Sequence, residues 1–516
     1  MADDIRLTTD VLVLGGGPAG AWAAIAAAES GASVVLADKG RVGTSGATAA
    51  ANTAVIDVAP DGKSCEHVLK RRLDKGLGLV RPDWVERMVD ETHSQLGRLA
   101  GWGYAFPTDD RGALYRGSLR GPDYMQILRR RAQKLGVKLL DHSPALDLLV
   151  GGDEVVGGRG VGRKGGPWQV RAGAVVVATG GCAFMSKALG TYGLTGDGLL
   201  MAAEAGAALS GMEFSGQYGI SHVAATVTKN LIYDWATFSD ESGRTLEGED
   251  IFELLAEHLP RGPVYAIVDK ATPSIQEGLR RGQPNIFLPL DRQGVDPFRQ
   301  RFPVTLRYEG TVRGVGGLAI SKNGATSVPG LYAAGDAASR EPVVGAVSGG
   351  GGPNSTWAIA SGVWAGRSAA AHSAKLGAHA HERRAEPARR DGSLEGGAPA
   401  PEDVTAWIGV AQSEMFPLER NFTRDEAAMR GSLDRLGAAW RAIRAAGPAS
   451  HDARLLRRRR EAAAMLAAAR WIYASALERR ETRGIHRRRD YPQLSPGAPA
   501  RLEARGLDRV AVESAR

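Results

Sequence analysis

Three glycines near the start of the chain have the spacing of a phosphate-binding turn. Gly15, Gly17 and Gly20 form the pattern GxGxxG. In such a turn the first glycine permits a tight bend, the second lets the backbone approach a diphosphate, and the third lets the next helix pack on the strand. The N-terminus of that helix adds N–H donors and a partial positive charge. Taken alone, the pattern also occurs in ordinary flexible turns, so the flanking elements must decide.

The segments around these glycines predict a strand, turn, helix, strand unit. Residues 10–14 are a continuous apolar run, which is typical of a buried parallel strand. Residues 21–30 are rich in alanine and predict a helix, and residues 32–36 predict a second strand that leads to Asp38. A carboxylate at that place can accept hydrogen bonds from adenosine ribose hydroxyls. The complete unit favours dinucleotide binding, but it does not separate FAD from NAD.

Further sequence blocks resemble the flavoprotein subunits of the fumarate reductase and succinate dehydrogenase family. The resemblance implies an α/β fold, in which a doubly wound Rossmann-like FAD-binding domain carries an inserted α+β capping domain and is followed by a C-terminal helical region. It also implies that Asp336 binds near the FAD ribitol. The blocks occur in family order at 44–48, 178–181, 195–198, 212–214, 329–336, 481–486 and 490–492.

We predict that the FAD is bound without a covalent link. Family members that attach FAD covalently carry a histidine where this chain has Gly46, and residues 45–47 are more similar to adenylylsulfate reductase α subunits and other non-covalent members. The predicted cofactor-binding residues are Gly15, Gly17, Pro18, Ala19, Gly20, Asp38, Lys39, Ser45, Gly46, Ala47, Thr48, Thr179, Gly180, Asp197, Gly335, Asp336, Asn354, Ser355 and Thr356.

Arg261 and His222 are the predicted catalytic residues. Arg261 lies in a segment, 258–264, that resembles the family's proton-donor segment, although an ordinary surface salt bridge is an equally good interpretation. His222 follows the position of a lost family motif, and it has an ordinary structural interpretation as well. Trp235, Arg313 and Arg340 lie in other segments that should border the substrate.

The family groups that bind the two carboxylates of succinate or fumarate are missing here. Residues 219–221, 312–317 and 345–355 stand where the family has those histidines and a substrate-binding arginine. Charge-assisted contacts of that kind are worth about 1.5 to 3 kcal/mol each. Succinate and fumarate are therefore not the expected substrates.

Our leading hypothesis is an FAD-dependent oxidoreductase that moves a hydride between flavin N5 and a carbon of a small polar substrate. An alternative is an adenylylsulfate-reductase-like subunit that works with a separate ferredoxin-type iron–sulfur protein. A third interpretation, a flavoprotein that has lost its chemistry and has a structural or sensory role, also stays open.

Composition adds limits to these hypotheses. The net charge of +8 owes much to arginine runs at 457–460 and 487–489, which we interpret as a solvated helix face or a docking surface for an acidic partner rather than a nucleic-acid site. The two cysteines, Cys65 and Cys182, are too far apart in sequence to predict a disulfide framework or a metal centre. No apolar run has the length of a membrane span, and the first residues lack the basic region of a secretion signal, so a cytoplasmic location is expected.

The texture of the sequence predicts five segments. Residues 1–215 and 313–371 form the two parts of the FAD-binding domain, and 216–312 form the capping domain. Residues 372–401 are rich in Ala, Gly, Pro and charge and predict a flexible linker, and 402–516 predict a helical C-terminal domain.

Overall fold

The computed structural model describes residues 4–59, 62–108, 111–348, 350–388, 401–446 and 452–515. The elements of the first part of the chain are β1 (Ile5–Leu14), α1 (Pro18–Glu29), β2 (Val34–Ala37), β3 (Asn52–Ala54), α2 (Lys63–Lys75), α3 (Pro82–Gly101), β4 (Ser118–Arg120), α4 (Gly121–Lys134), β5 (Lys138–Leu140), β6 (Ala145–Gly151), β7 (Glu154–Val161), β8 (Pro167–Val177), α5 (Asp197–Glu204) and β9 (Leu209–Ser210).

A middle section follows, with its own sheet and helices. Its elements are β10 (Tyr218–His222), β11 (Thr237–Ser239), α6 (Ile251–His258), β12 (Val264–Ile267), α7 (Pro273–Gly282), α8 (Pro284–Arg292) and β13 (Phe302–Tyr308). The chain then continues through α9 (Gly310–Arg313), β14 (Gly317–Leu318), β15 (Leu331–Ala333), α10 (Glu341–Val344), α11 (Gly351–Leu376) and β16 (Glu386–Pro387). The last described elements are α12 (Pro401–Met415), α13 (Leu418–Asn421), α14 (Glu426–Ala445), α15 (Ala453–Glu478), β17 (Leu502–Arg505) and β18 (Ala511–Ser514).

The central sheet confirms the predicted parallel core. Its order is β16-β6-β7-β8-β1-β2-β5, and β15 also pairs with β8. Strand β1 runs parallel to β2 and β8, and β2 runs parallel to β5. Because β1 and β2 are covered on both faces, their apolar runs are continuous rather than alternating. The α/β doubly wound prediction is therefore confirmed.

Helix α1 is held between this sheet and α11. A side chain at Gly366 of α11 would place its Cβ 2.2 Å from the Ala23 carbonyl oxygen, and one at Gly362 would place it 2.5 Å from that of Ala19. Glycine at these two positions is what allows the two helices to approach so closely. Residues 19–27 are accordingly all buried.

The inserted section, which we call the cap, is α+β as predicted. Its four-stranded antiparallel sheet has the order β10-β13-β12-β11. A separate hydrophobic cluster fills the cap, with Ile232, Leu255, Phe287 and Phe302 among its buried members. The cap therefore has a core of its own and can act as one wall of a site.

The C-terminal part is not purely helical, which corrects our prediction. Helices α12 to α15 are present, but β17 and β18 follow them, and β17 pairs antiparallel with β9 in a sheet of order β14-β9-β17-β18. Part of the predicted flexible linker is also regular, because α11 continues to Leu376 and β16 pairs with β6. Residues 389–400 of that linker lie outside the described residues.

The two arginine runs differ from residue to residue in their exposure. Arg459 is 3% exposed, and Arg460 donates to the Glu204 carboxylate at 2.7 Å. Arg488 is 1% exposed and donates to Asp490 at 2.7 Å. Arg457 and Arg489, by contrast, keep 41% and 61% of their side chains exposed. The runs are therefore not the uniformly solvated face that their sequence predicts. Among the described residues, no helix has the length and apolar character to span a membrane.

Candidate cofactor and substrate site

A cavity of about 820 Å³ opens beyond the carboxyl ends of β1 and β2 and extends to the cap. Its volume lies in the upper part of the range of about 300 to 1,000 Å³ that is usual for cofactor and ligand sites. All the predicted cofactor residues except Gly20 and Thr356 line it. The structure thus brings together residues that are far apart along the chain.

The glycine turn forms one end of the cavity and leaves the start of α1 open. Gly15 has a φ of +103°, and a Cβ there would lie 2.4 Å from the Ala178 carbonyl oxygen. Gly17 is the N-cap of α1, and no side chain caps its amides. The first N–H groups of α1 are therefore available to an anion, as a diphosphate requires.

Gly20 does not line the cavity, although it belongs to the same motif. A Cβ at Gly20 would lie 1.8 Å from the Gly15 carbonyl oxygen. Its role here is the packing of α1 against the turn, which is the function expected of the third glycine. Gly20 therefore supports the cofactor end through the position of α1.

Asp38 connects the end of β2 to the glycine turn. Its carboxylate accepts from Gly16 N at 2.6 Å, from Gly40 N at 2.7 Å and from Ser45 Oγ at 2.5 Å. An ionised carboxylate has about four acceptor positions, so one remains for a ribose hydroxyl. Asp38 therefore fixes the shape of the turn as well as lining the cavity.

The loop that contains Gly46 packs against the same turn. Gly46 has a φ of +84°, and a Cβ there would lie 3.1 Å from the Gly17 Cα. A histidine at this position would be strained and crowded. The structure therefore agrees with a cofactor that is not attached through residue 46.

Buried polar atoms without partners show that the cavity is built for a polar ligand. Both side-chain atoms of Asn354 and the Thr179 hydroxyl are buried and make no hydrogen bond, and both residues line the cavity. Leaving a buried polar group unpaired costs about 1 to 3 kcal/mol. Together with the open helix terminus, these atoms fit the diphosphate, ribitol and flavin ring of FAD.

Asp336 lines the cavity and is held by a buried arginine. Arg340 donates to Asp336 Oδ1 at 2.5 Å and to the carbonyl oxygens of Thr311, Val312 and Gly314 at 2.8 to 2.9 Å. Four of its five N–H donors are thus used within the protein. Arg340 therefore positions Asp336 and α9, which agrees with the structural interpretation of this residue.

Thr356, another predicted cofactor residue, does not line the cavity. Its hydroxyl donates to Gly352 O at 2.8 Å and accepts from Ile56 N at 2.9 Å, and the residue is fully buried. Its neighbour Ser355 does line the cavity and makes a short hydrogen bond with Thr53. The start of α11 therefore presents Asn354 and Ser355, while Thr356 ties the helix to the strand beside it.

Neither predicted catalytic residue lines the main cavity. The Arg261 side chain is 67% exposed and pairs with Glu257 at 3.1 Å on the cap surface. The ring of His222 accepts from Ala224 N at 3.2 Å and lies beside Phe302. Burial, and then Arg307, lowers the pKa of His222, which favours the uncharged ring. The structure gives neither residue a place at the reacting end, and Trp235 also lies in the cap core.

The cap end of the cavity instead carries two cations on neighbouring segments. Lys229 and Arg313 both line the wall, and Lys229 donates to Asn52 O at 2.8 Å across the junction between cap and β3. Burial, and then repulsion by Arg313, lowers the pKa of Lys229 to about 8. Arg313 was predicted from the sequence to lie near the substrate, but Lys229 was not. The feature that could have indicated Lys229 is its position in the polar triplet 228–230 after β10.

Glu309 lies behind these two cations. It accepts from Thr228 Oγ1 at 2.6 Å and stands 3.9 Å from Arg313 Nε. Burial raises the pKa of Glu309 against the opposing effects of Arg313 and Thr228. The cap end therefore carries two basic side chains at the cavity wall with one buried carboxyl group behind them, an arrangement that suits an anionic ligand.

A doubly wound sheet with an open glycine turn, a large cavity that contains unpaired buried polar groups, and a cap over its far end defines an FAD-dependent oxidoreductase. The FAD binding domain family matches residues 10–223, and the fumarate reductase flavoprotein C-terminal family matches residues 422–509. The chain belongs to the fumarate reductase and succinate dehydrogenase flavoprotein family. FAD is its cofactor, held without a covalent bond.

Known relatives and structures agree with this assignment. The chain is 28% identical to an L-aspartate oxidase of Mycobacterium tuberculosis, over 98% of this chain and 96% of that protein. It is 27% identical to an L-aspartate oxidase of Streptomyces coelicolor, over 64% and 63%. The FrdA chain of E. coli quinol fumarate reductase matches with a TM-score of 0.82 at 22% identity, over 99% and 97%. Adenylylsulfate reductase from Archaeoglobus fulgidus matches at 0.79 and 17%, over 99% and 96%.

Proposed function

We propose that this protein oxidises a small carboxylate substrate and that L-aspartate is the first compound to test. The observation that carries the proposal is the pairing of Lys229 and Arg313 on one wall at the cap end of the cavity. The full-length similarity to proteins named L-aspartate oxidase supports it. Because the family groups for two carboxylates are missing, recognition of the substrate rests on this new pair.

Arg313 is the residue suited to anchor the carboxylate. A guanidinium stays charged at all relevant pH values and offers a fork of donors that matches a carboxylate. Its counter-charge, Glu309, is distant at 3.9 Å and has a raised pKa because it is buried. An incoming carboxylate would therefore be the strongest available partner for Arg313.

Lys229 is suited to take a proton from the substrate. With a pKa of about 8 it is neutral in a substantial fraction of molecules near that pH, which is the range in which a general base works well. Its Nζ would accept the proton of the substrate nitrogen or oxygen as the adjacent carbon is oxidised. When bound, FAD supplies the two-electron acceptor for that carbon at N5.

The cap is tied to the FAD-binding part at this end of the cavity, and its closure over a bound substrate would exclude water. The Lys229 hydrogen bond to Asn52 O already ties the loop after β10 to β3, and Asn285 of α8 donates to Ala50 O at 3.4 Å. These contacts close the cap against the FAD-binding part. Exclusion of water strengthens the interaction of Arg313 with an anion.

The test is an anaerobic titration of the FAD-loaded protein. The flavin absorbance is followed while L-aspartate, L-malate, glycine and L-alanine are added, with L-aspartic acid diamide as the matched compound without a carboxylate. We expect at least one carboxylate to bleach the flavin and the diamide not to do so. Bleaching by the diamide as readily as by the acids would contradict the proposal, and so would bleaching by none of the acids.

The alternative with a separate ferredoxin-type iron–sulfur partner has less support. Its docking surface was expected at the arginine runs, where Arg459 and Arg488 are buried and Arg460 is paired with Glu204. The same sample distinguishes an oxidase from an enzyme that depends on an iron–sulfur partner, when air is admitted after the flavin has been bleached. Reoxidation without added protein favours the oxidase, whereas a flavin that recovers only with an added iron–sulfur carrier favours the partner-dependent enzyme.

A further inference from the structure

The N-terminal turns of α15 form part of the cavity wall, far from the cap. Arg457, Arg458 and Glu461 line the cavity together with Asp38 and Lys39 at the end of β2. This is the end at which the fold places the adenosine half of a dinucleotide. A helix from the C-terminal part of the chain thus contributes charged groups to the site of the cofactor.

A chain of ion pairs fixes the position of that helix. Lys39 Nζ lies 2.7 Å from Asp197 Oδ2 and 3.5 Å from Glu461 Oε1, and Arg457 Nε lies 3.6 Å from the same Glu461 oxygen. Burial opposes the charge on Lys39, but Asp197 and Glu461 outweigh it and raise the pKa of Lys39. Glu461 therefore links Arg457 to Lys39, the residue that follows Asp38.

Arg458 differs from its neighbours on the same helix. Arg460 is paired with Glu204 at 2.5 Å, and Arg459 donates to a backbone carbonyl at 2.9 Å. In the described part of the chain, no hydrogen bond or ion pair involves the Arg458 side chain. Arg457 makes an ion pair from its Nε to Glu461. Among the described residues, the terminal nitrogens of Arg457 and the whole guanidinium of Arg458 therefore keep donors free for an anion.

We propose that Arg457 and Arg458 bind the ADP half of FAD, through its phosphates and ribose, so that α15 is part of the cofactor site. Guanidinium groups are well matched to phosphate oxygens. Cofactor binding then draws the C-terminal helices onto the first domain, and the protein recognises the dinucleotide through its ADP end as well as its flavin.

The test measures the dissociation constants of FAD, by quenching of flavin fluorescence, and of ADP, by competition with FAD. The full-length apoprotein is compared with Arg457→Ala, Arg458→Ala and the double variant. A charge-assisted contact of about 1.5 kcal/mol corresponds to about 10-fold in affinity. We therefore expect each single variant to bind both FAD and ADP about 10-fold more weakly, and the double variant to lose more than either.

Arg454→Ala is the matched control, because Arg454 is an exposed arginine on the first turn of α15 that does not line the cavity. It removes one positive charge and should leave both dissociation constants unchanged. Unchanged FAD and ADP binding in the double variant would overturn the proposal. An equal loss in Arg454→Ala would do so too, since it would show a general effect of charge. Arg458→Gln alone carries the test if the double variant does not fold.

Hydrogen exchange gives a second measurement that is independent of turnover. Amides in residues 453–461 should exchange more slowly in the wild-type apoprotein when ADP is added, because the ligand holds the start of α15 against the first domain. The double variant should show no such slowing. Exchange in this segment that does not respond to ADP in the wild-type protein would contradict the role of α15.

Discussion

The two ends of the cavity are built on different principles. At the dinucleotide end, backbone geometry makes the site: glycines at positions 15 and 17 and an uncapped helix start leave main-chain donors free. At the cap end, side chains make the site: Lys229 and Arg313 come from separate segments and meet only through the fold. The dinucleotide end therefore tolerates few changes of backbone shape. The chemistry of the cap end can change through single side-chain substitutions. This difference explains how one family holds the same cofactor and acts on different substrates.

The largest effect is expected at the glycine turn. Gly15→Ala places a methyl group 2.4 Å from the Ala178 carbonyl oxygen at a φ of +103°, where an L-residue already costs about 1 to 2 kcal/mol. We expect this variant to retain no flavin after desalting. Gly31→Ala is the control, since Gly31 has a φ of +89° but no atom within 4 Å. A Gly15 variant that keeps its yellow colour would show that the turn is not the anchor.

Removing the proposed base should affect turnover and spare the cofactor. Lys229→Met keeps much of the side-chain volume but cannot take a proton. General base catalysis contributes about 100- to 10,000-fold, so we expect kcat to fall within that range while the FAD dissociation constant stays unchanged. Steady-state kinetics and a flavin titration give the two values. If FAD binding is weakened instead, Lys229 acts in holding the cofactor and not as the base at the cap end.

The pH dependence sharpens the same assignment. Because the pKa of Lys229 is about 8, the neutral, proton-accepting form grows as pH rises through that value. We therefore expect kcat/KM, which reports the free enzyme, to rise through about pH 8 and then level off. The rise should vanish in Lys229→Met. A profile that falls above pH 8 would mean that the charged form of the lysine is required.

Loss of the carboxylate anchor should appear in substrate binding. Arg313→Gln removes a charge-assisted contact worth about 1.5 to 3 kcal/mol, which corresponds to a rise in KM of about 10- to 150-fold. The control is Arg281→Gln, because Arg281 of α7 is 77% exposed and does not line the cavity. Equal effects in the two variants would show that net charge, rather than the position of Arg313, matters.

The smallest effect is expected at Arg261. Its side chain is 67% exposed and its ion pair with Glu257 lies on the surface, where such pairs are worth about 0 to 1 kcal/mol. Arg261→Ala should therefore leave kcat, KM and flavin binding close to the wild-type values. A loss of turnover with flavin still bound would restore Arg261 as the proton donor.

The features that could be predicted from the sequence are those whose residues lie close together along the chain. The glycine turn, Asp38 and the two strands lie within 40 residues and obey known spacing, so they were recognised. The sequence predicts a solvated Arg460 because its partner, Glu204 of α5, lies about half the chain away in sequence. A run of arginines gives no indication of distant carboxylates, and burial of such charges is decided by tertiary packing.

The cap end was the least predictable part of the site. Lys229 belongs to no motif, and its lowered pKa results from burial and from Arg313, which only the folded chain brings near it. Arg261 has the surrounding letters of a family segment, but it follows α6 on the cap surface instead of facing the cavity. The residues predicted from the resemblance at the cofactor end therefore do line the cavity, with the exception of Gly20 and Thr356. Arg261, predicted in the same way, lies outside the cavity, and its catalytic role stays a prediction.

The pairing of β9 with β17 has a consequence for biosynthesis. Strand β9, residues 209–210, pairs with β14 on one side and with residues 503–504 of β17 on the other. Its second neighbour is therefore synthesised much later than β9 itself. During translation the early sheet would thus carry an open edge until residues 503–504 have left the ribosome, and open edges invite association with other chains.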